Sequence, residues 1–165
     1  MPGQTTRHLP VLEESFSLLT EHDIYLFKEG SHFHLYNKLG AHPVSVKDCE
    51  GVYFSVWAPN AVHVSVIGDF NQWAVGQTPM RVREDSSGIW EVFVPGLPKG
   101  SLYKYHIESR YNGYGVDKGD PYAMYWEVRP RTASVVWDLD YDWGDEDWMK
   151  SRAKVNSLSA PMSIY

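Results

Sequence analysis

The sequence is poor in the features that would place it outside an aqueous, reducing environment. It has one cysteine, Cys49, which cannot close an internal disulfide, so nothing in it calls for an oxidising compartment. No run of about 18 apolar residues is present, which excludes a membrane-spanning helix, and a membrane partner is not expected. The first ten residues lack an apolar core behind basic residues, the mark of a secretory signal. These absences lead to the expectation of a cytoplasmic protein. Basic residues are also scarce, 15 Lys and Arg against 21 Asp and Glu, for a net charge of −6. A nucleic-acid partner, which needs a basic stripe, is therefore not expected.

What is abundant is aromatic. Phe, Trp and Tyr make up 15% of 165 residues, with 7 Trp and 11 Tyr. At 43% hydrophobic and 22% charged, the composition is globular and sized for one ordinary domain.

Residues 1–19 show no clean period and read as a flexible tail. Thr20 is placed to cap a helix, with Glu21 and Asp23 in its first turn. Ile24 and Phe27 share one face before Gly30 interrupts. A second short helix is expected over residues 31–39, completing a helical lead-in over residues 20–45. Ordering of this region requires Ile24, Phe27, Leu35 and Leu39 to find a packing partner.

From Gly51 the period becomes two. Val52, Phe54 and Val56 mark one strand; Val62, Val64 and Val66, alternating with His63 and Ser65, mark the next. The turn Asp85-Ser86-Ser87-Gly88 precedes a strand over residues 89–94. Tyr103, Tyr105 and Ile107 alternate with Lys104, His106 and Glu108, and a last strand is expected over residues 133–137. Short strands with regular turn signals and no intervening helices predict an all-β antiparallel sandwich over residues 46–138. Residues 139–165 read as an acidic, aromatic linker ending in a strand-like run, so the sequence resembles the front of something longer.

The chemistry-bearing motifs are weak for catalysis and metals. Asp138, Asp140 and Asp142 fall on the first, third and fifth positions of a calcium loop. Gly144 is one place late, however, and Met149 stands where a bidentate glutamate is required, so a solvated acidic segment is the preferred reading. His32 and His34 lack the further ligands of a zinc site. No metal or other cofactor is expected. No serine sits in a nucleophile elbow, and Cys49 has no base beside it. Asp69, Asp117 and Asp120 are the carboxylates available for glycosidic chemistry, but each adjoins a turn residue, and turn capping accounts for them as well. No catalytic residue is assigned.

Carbohydrate contact is better supported. A sugar ring has an apolar face and a polar rim, which suits an exposed indole or phenol flanked by hydrogen-bonding groups. Trp73 follows a strand end in the loop Gly68-Asp69-Phe70-Asn71-Gln72-Trp73, whereas Trp57, Trp90 and Trp137 lie inside strands and are expected in the core. Alternation sends Lys104 to the face opposite Tyr103 and Tyr105. Tyr111 and Tyr114, around Asn112-Gly113, offer a second aromatic surface.

The motifs GVYFSVWAPN (51–60), VSVIGDFNQW (64–73), GIWE (88–91), YKY (103–105) and DPYA (120–123) resemble the family 48 carbohydrate-binding module. The flanks LGAHP (39–43), RPRTAS (129–134) and APMSIY (160–165) are similar to bacterial 1,4-α-glucan (glycogen) branching enzymes. The resemblance implies an immunoglobulin-like sandwich and an α-glucan ligand. It further implies an enzyme of the α-amylase superfamily that remakes α-1,4 bonds as α-1,6 branches. Its catalytic barrel is absent here, and Ser163-Ile164-Tyr165 resembles that barrel's first strand; the chain alone is expected to be inactive. In relatives of the module, including the β subunit of AMP-activated kinase, sugar stacks on the tryptophan matching Trp73, and the matching lysine is Lys104. Their second stacking tryptophan falls in the loop occupied here by residues 111–116, where Tyr114 is the substitute. An asparagine they use matches Ser134. The implied carbohydrate-binding set is therefore Trp73, Asn71, Lys104 and Tyr114. The alternative is a docking module that packs on the barrel with little sugar affinity.

Overall fold

The computed structural model describes residues 16–155, 159 and 161. The helix α1 spans Glu21–Glu29, with Thr20 as its N-cap. The Thr20 hydroxyl accepts from the Asp23 amide, and the Asp23 carboxylate accepts from the Thr20 amide, a reciprocal capping box. Gly30, left-handed at φ 75°, ends the helix as the position requires. Asp23 also accepts from His32 at 2.9 Å and pairs with Lys38 at 3.1 Å, so the helix start pins the segment that follows.

That segment is not a second helix. Only Leu35–Asn37 forms a 3-10 turn, and the chain is already in strand β1 at Gly40–Val46. Pro43 hid this strand from the sequence reading; it lies on an edge, where a missing amide is tolerated. The sandwich therefore begins at Gly40, not at residue 46.

The remaining strands are β2 (Cys49–Trp57), β3 (Ala61–Gly68), β4 (Arg81–Val82), β5 (Ile89–Pro95), β6 (Leu102–Ser109), β7 (Gly115–Lys118), β8 (Tyr125–Trp126) and β9 (Ser134–Val135). They form two sheets, ordered β1-β2-β5-β4 and β3-β6-β9-β8, with β7 beside β6. All pairings are antiparallel. The all-β sandwich read from the periodicity is the fold.

The core lies between the sheets. Val52, Phe54, Val56, Trp90, Val92 and Val94 face Val64, Val66, Tyr103 and Tyr105. Val62, expected inside by alternation, is exposed, because a bulge between Ala61 and His63 shifts the register by one and turns Ala61 inward instead. Two tyrosine hydroxyls are carried into this core, and Asp120 satisfies both, accepting from Tyr103 at 2.6 Å and Tyr105 at 3.1 Å. Burial pushes the Asp120 carboxyl above its ordinary range.

The outer face of the first sheet is also covered. Phe16 and Leu18 pack with Val46, Tyr53 and Phe93, while Leu19, Ile24, Leu39 and Ile89 form a second cluster with Phe27 and Leu35. The apolar face of the lead-in thus finds its partner. Residues 16–19 are correspondingly not a loose tail, since Leu19 is buried and the Ser17 hydroxyl donates to Glu91 at 2.7 Å. At the other end, the segment expected to be a linker contains the helix α2, Glu146–Val155, with acidic residues first and basic residues last, as its dipole favours. The run 163–165, expected to be strand-like, lies outside the described residues.

Candidate functional site

A loop held in an unfavourable conformation presents Trp73. Gln72 and Trp73 both adopt left-handed backbone angles, φ 57° and 59°, at a cost of order 1 kcal/mol or more each. Asn71 supports that geometry from beneath. Its amide nitrogen donates to the Val66 carbonyl at 2.9 Å and the Thr78 hydroxyl at 3.0 Å, and its oxygen accepts from the Gly68 amide at 2.9 Å. Asn71 is therefore a buried brace with its polar atoms engaged, not a surface contact as the sequence suggested. The Trp73 amide donates to the Gly68 carbonyl at 2.8 Å, which fixes the loop to the end of β3. The ring is 39% exposed, and its Nε1–H has no hydrogen-bond partner among the described residues.

Indole N–H pairing separates scaffold from surface. Trp90 is buried and donates to the Ala58 carbonyl at 3.0 Å. Trp57 is exposed, contrary to expectation, but its N–H is committed to the Ser87 carbonyl at 3.0 Å and its ring lies edge-on to Phe27. Trp137 is likewise exposed. Strand alternation sends Val136 into the core, leaving Trp137 outside, where it stacks at a tilt with Tyr125, centroids 5.3 Å apart, beneath the Lys99 ammonium.

Lys104 emerges on the outer face of the second sheet, opposite Tyr103 and Tyr105 as alternation requires. Its ammonium donates to the Thr132 hydroxyl at 2.8 Å. The strand register places Trp73 and Lys104 at one end of this sheet. Gly68, which anchors Trp73, pairs with Tyr103, the neighbour of Lys104. In the same register Tyr103 pairs with Ser134, and Ser134 with Trp126. Tyr125, Trp126 and Trp137 therefore belong to the same end as Lys104.

Tyr114 does not. It lies in the turn beyond Ser109, and Ser109 pairs with Ala61 at the far end of β3. About five residues of β6, roughly 17 Å of strand, separate it from Lys104. Tyr111 shares that remote position. Ser134 cannot replace a surface asparagine either, because it is fully buried and accepts from the Asp120 amide at 2.9 Å. The residues missed by sequence reasoning are Thr132, Tyr125 and Trp126. The alternation around Val136 carried the signal for Trp137; nothing comparable marked the other three.

The three carboxylates weighed for hydrolysis are separately occupied. Asp69 accepts from the Leu102 amide, Asp117 pairs with His106 at 2.7 Å, and Asp120 holds the core tyrosines. Among the described residues, no three His, Cys, Asp or Glu side chains gather as a metal site would require. A separate cleft of about 500 Å³ lies at the outer face of the first sheet. The ion network around buried Glu91 forms its floor. Arg83 reaches Glu91 at 3.2 Å, Arg81 pairs with it as well, and Tyr53 donates to it at 2.8 Å. Those groups satisfy one another, which makes this a structural seal.

A β-sandwich presenting exposed indoles and a lysine from one open sheet face has the form of a carbohydrate-binding module. The family Carbohydrate-binding module 48 (Isoamylase N-terminal domain) matches residues 38–123, and the chain belongs to that family. It is 52% identical over 152 residues to the 1,4-alpha-glucan branching enzyme GlgB of Aquifex aeolicus, covering 92% of this chain and 24% of that protein. It is 53% identical over 146 residues to the corresponding enzyme of Albidiferax ferrireducens, covering 88% and 23%. The chain thus spans about a quarter of the length of these curated relatives. Among solved structures, pullulanase from Bacillus acidopullulyticus superimposes with a TM-score of 0.50 at 26% identity, over 62% of this chain and 12% of that one. Pullulanase from Anoxybacillus, solved with maltotetraose, gives 0.50 at 27% identity, over 78% and 16%. No helix among the described residues is long and apolar enough to cross a membrane.

Proposed function

We propose that this chain is the α-glucan-binding module of a cytoplasmic glycogen branching enzyme. In that enzyme a separate catalytic barrel transfers α-1,4 chains to form α-1,6 branches. The observation that carries the reading is the placement of Trp73 and Lys104 at one end of an uncovered sheet face, with the Trp73 indole N–H free. An indole stacks on the apolar face of a glucose ring, and Lys104 with Thr132 supplies donors and acceptors for its hydroxyls. The 52% identity to a branching enzyme over 92% of this chain supports the parent activity, and the maltotetraose bound by the Anoxybacillus pullulanase supports the ligand class.

The test is a titration of the 165-residue chain with maltoheptaose and β-cyclodextrin, with thermal melts alongside. Trp73→Ala is expected to lose about 1–3 kcal/mol of binding, by analogy with aromatic stacking on other flat ligands, and to remain folded. Trp90→Ala is expected to lose about 3–5 kcal/mol of stability instead. Binding by Trp73→Ala equal to wild type would remove the platform from this loop.

A second reading, docking onto the barrel, is favoured by a different surface. Phe33 is 84% exposed, and Tyr25, Tyr36 and Trp57 are exposed on or beside the same lead-in. Absence of any glucan binding by the wild-type chain would leave docking as the module's role.

A further inference from the structure

We propose that Trp126 is a second stacking surface of the glucan site, seated on the bare backbone of Gly119. The inference rests on the sugar-binding reading above and adds a residue that the sequence did not point to.

Position comes first. Trp126 pairs with Ser134, Ser134 with Tyr103, and Tyr103 with Gly68, whose carbonyl holds the Trp73 amide. The two tryptophans are thus anchored on one row across the sheet, three inter-strand gaps apart, or about 14 Å. Lys104 adjoins that row between them.

The seat is specific. A Cβ at Gly119 would stand 2.4 and 2.5 Å from Cζ3 and Cη2 of the Trp126 ring, distances no real side chain tolerates. Gly119 is not among the glycines with positive φ, so backbone conformation does not require a glycine there. What requires it is the approach of the indole. The same Cβ position lies 3.5 Å from the Thr132 carbonyl, and the Thr132 hydroxyl accepts from Lys104. Indole, threonine and lysine therefore border one spot on the surface.

The ring is available to a ligand. Trp126 is 43% exposed, and its Nε1–H has no hydrogen-bond partner among the described residues, in contrast to Trp57 and Trp90. One edge of the indole is held against backbone, so little side-chain freedom remains to be lost on binding. A glucan long enough to reach from Trp73 past Lys104 meets a second apolar surface at Trp126. A short one occupies only one of the two.

The test compares maltotriose and maltoheptaose binding by the 165-residue chain carrying Trp126→Ala, Trp126→Phe, Gly119→Ala, Trp73→Ala or Tyr114→Ala. Trp126→Ala is expected to weaken maltoheptaose binding at least about fivefold, the lower end for loss of a stacked aromatic. It should weaken maltotriose binding less. Gly119→Ala, which displaces the ring, is expected to do the same and to add nothing in a Trp126→Ala background. Trp126→Phe should restore part of the loss, and Tyr114→Ala should change nothing. If Trp126→Ala or Gly119→Ala melts early, the folded Trp126→Phe variant and the comparison of ligand lengths still decide. Wild-type maltoheptaose affinity in Trp126→Ala, with binding lost in Trp73→Ala, would overturn this proposal and leave the sugar-binding reading intact. Absence of binding by the wild-type chain would overturn both.

Discussion

The two outer faces of the sandwich differ in what covers them. In the first sheet, β5 is buried at every position from Ile89 to Pro95, because the core lies on one side and the lead-in on the other. In the second, β6 alternates: Tyr103 and Tyr105 are fully buried, while Lys104 and His106 keep contact with solvent. The covered face carries Glu91 with no side-chain exposure, sealed by Arg81, Arg83, Tyr53 and Ser17. The second sheet has Trp73, Trp126 and Trp137 at one end, each about two-fifths exposed. A buried charge needs its partners fixed in place, whereas a ligand site needs unpaired groups held ready. One face is closed over its buried charge, and the other leaves Lys104 and His106 in contact with solvent.

Removing a member of the seal should produce the largest effect on stability. Glu91→Ala removes the acceptor shared by Arg81, Arg83, Tyr53 and Ser17 and is expected to cost about 3–5 kcal/mol in a urea melt. The folded fraction should still bind glucan, because the damage is on the opposite sheet. Loss of sugar affinity out of proportion to unfolding would show that the two faces are coupled.

Asn71→Ala acts on the open side. It removes a brace that makes three buried hydrogen bonds and is expected to cost about 1–3 kcal/mol. Unlike Glu91→Ala, it should also weaken maltoheptaose binding, since Gln72 and Trp73 relax from their left-handed conformations. Unchanged affinity would mean that the loop strain does not position the indole.

A smaller effect separates the faces by pH. Burial raises the Asp23 carboxyl, but hydrogen bonds from Thr20, His32 and Lys38 together outweigh it and hold the group well below its ordinary 3.8. A carboxyl depressed in the folded state contributes stability that is complete above the unfolded value. That contribution is lost as the pH falls toward the folded value. The lead-in is therefore expected to loosen first in acid, with faster amide exchange at Ile24 than at Val66 below about pH 4. Asp23→Asn should remove that acid sensitivity. Equal loss of protection at both positions would contradict the assignment. Smallest of all, Tyr114→Ala should leave both melting and glucan binding unchanged, since the ring stands at the far end of the sheet.

Much of the fold was legible because strand alternation and turn residues are local signals. The Thr20 cap, the Asp85 to Gly88 turn and the alternation through Tyr103 and Tyr105 all reappear in the structure. The failures have physical causes. Pro43 disguised an edge strand, and the bulge at Ala61 broke the alternation that placed Val62 inside. Trp57 and Trp137 lie in or beside strands yet face outward, which strand membership alone does not reveal. Of the candidate site, Trp73 and Lys104 could be named from the sequence, but their common end of the sheet depends on the β3–β6 register. Asn71 and Tyr114 were misplaced for the same reason: whether a loop residue braces or projects depends on contacts many residues away. Trp126 carried no local mark, because its seat at Gly119 and its neighbour Thr132 come together only through the β8–β9 pairing.

The most direct measurement is an amide and indole N–H NMR titration of the wild-type chain with maltoheptaose. The account predicts shifts confined to the open face, at the Trp73 and Trp126 indoles and the amides of Lys104 and Thr132. Glu91, Tyr53 and Tyr114 should remain still. Shifts centred on the lead-in around Phe33, or none at saturating ligand, would contradict it.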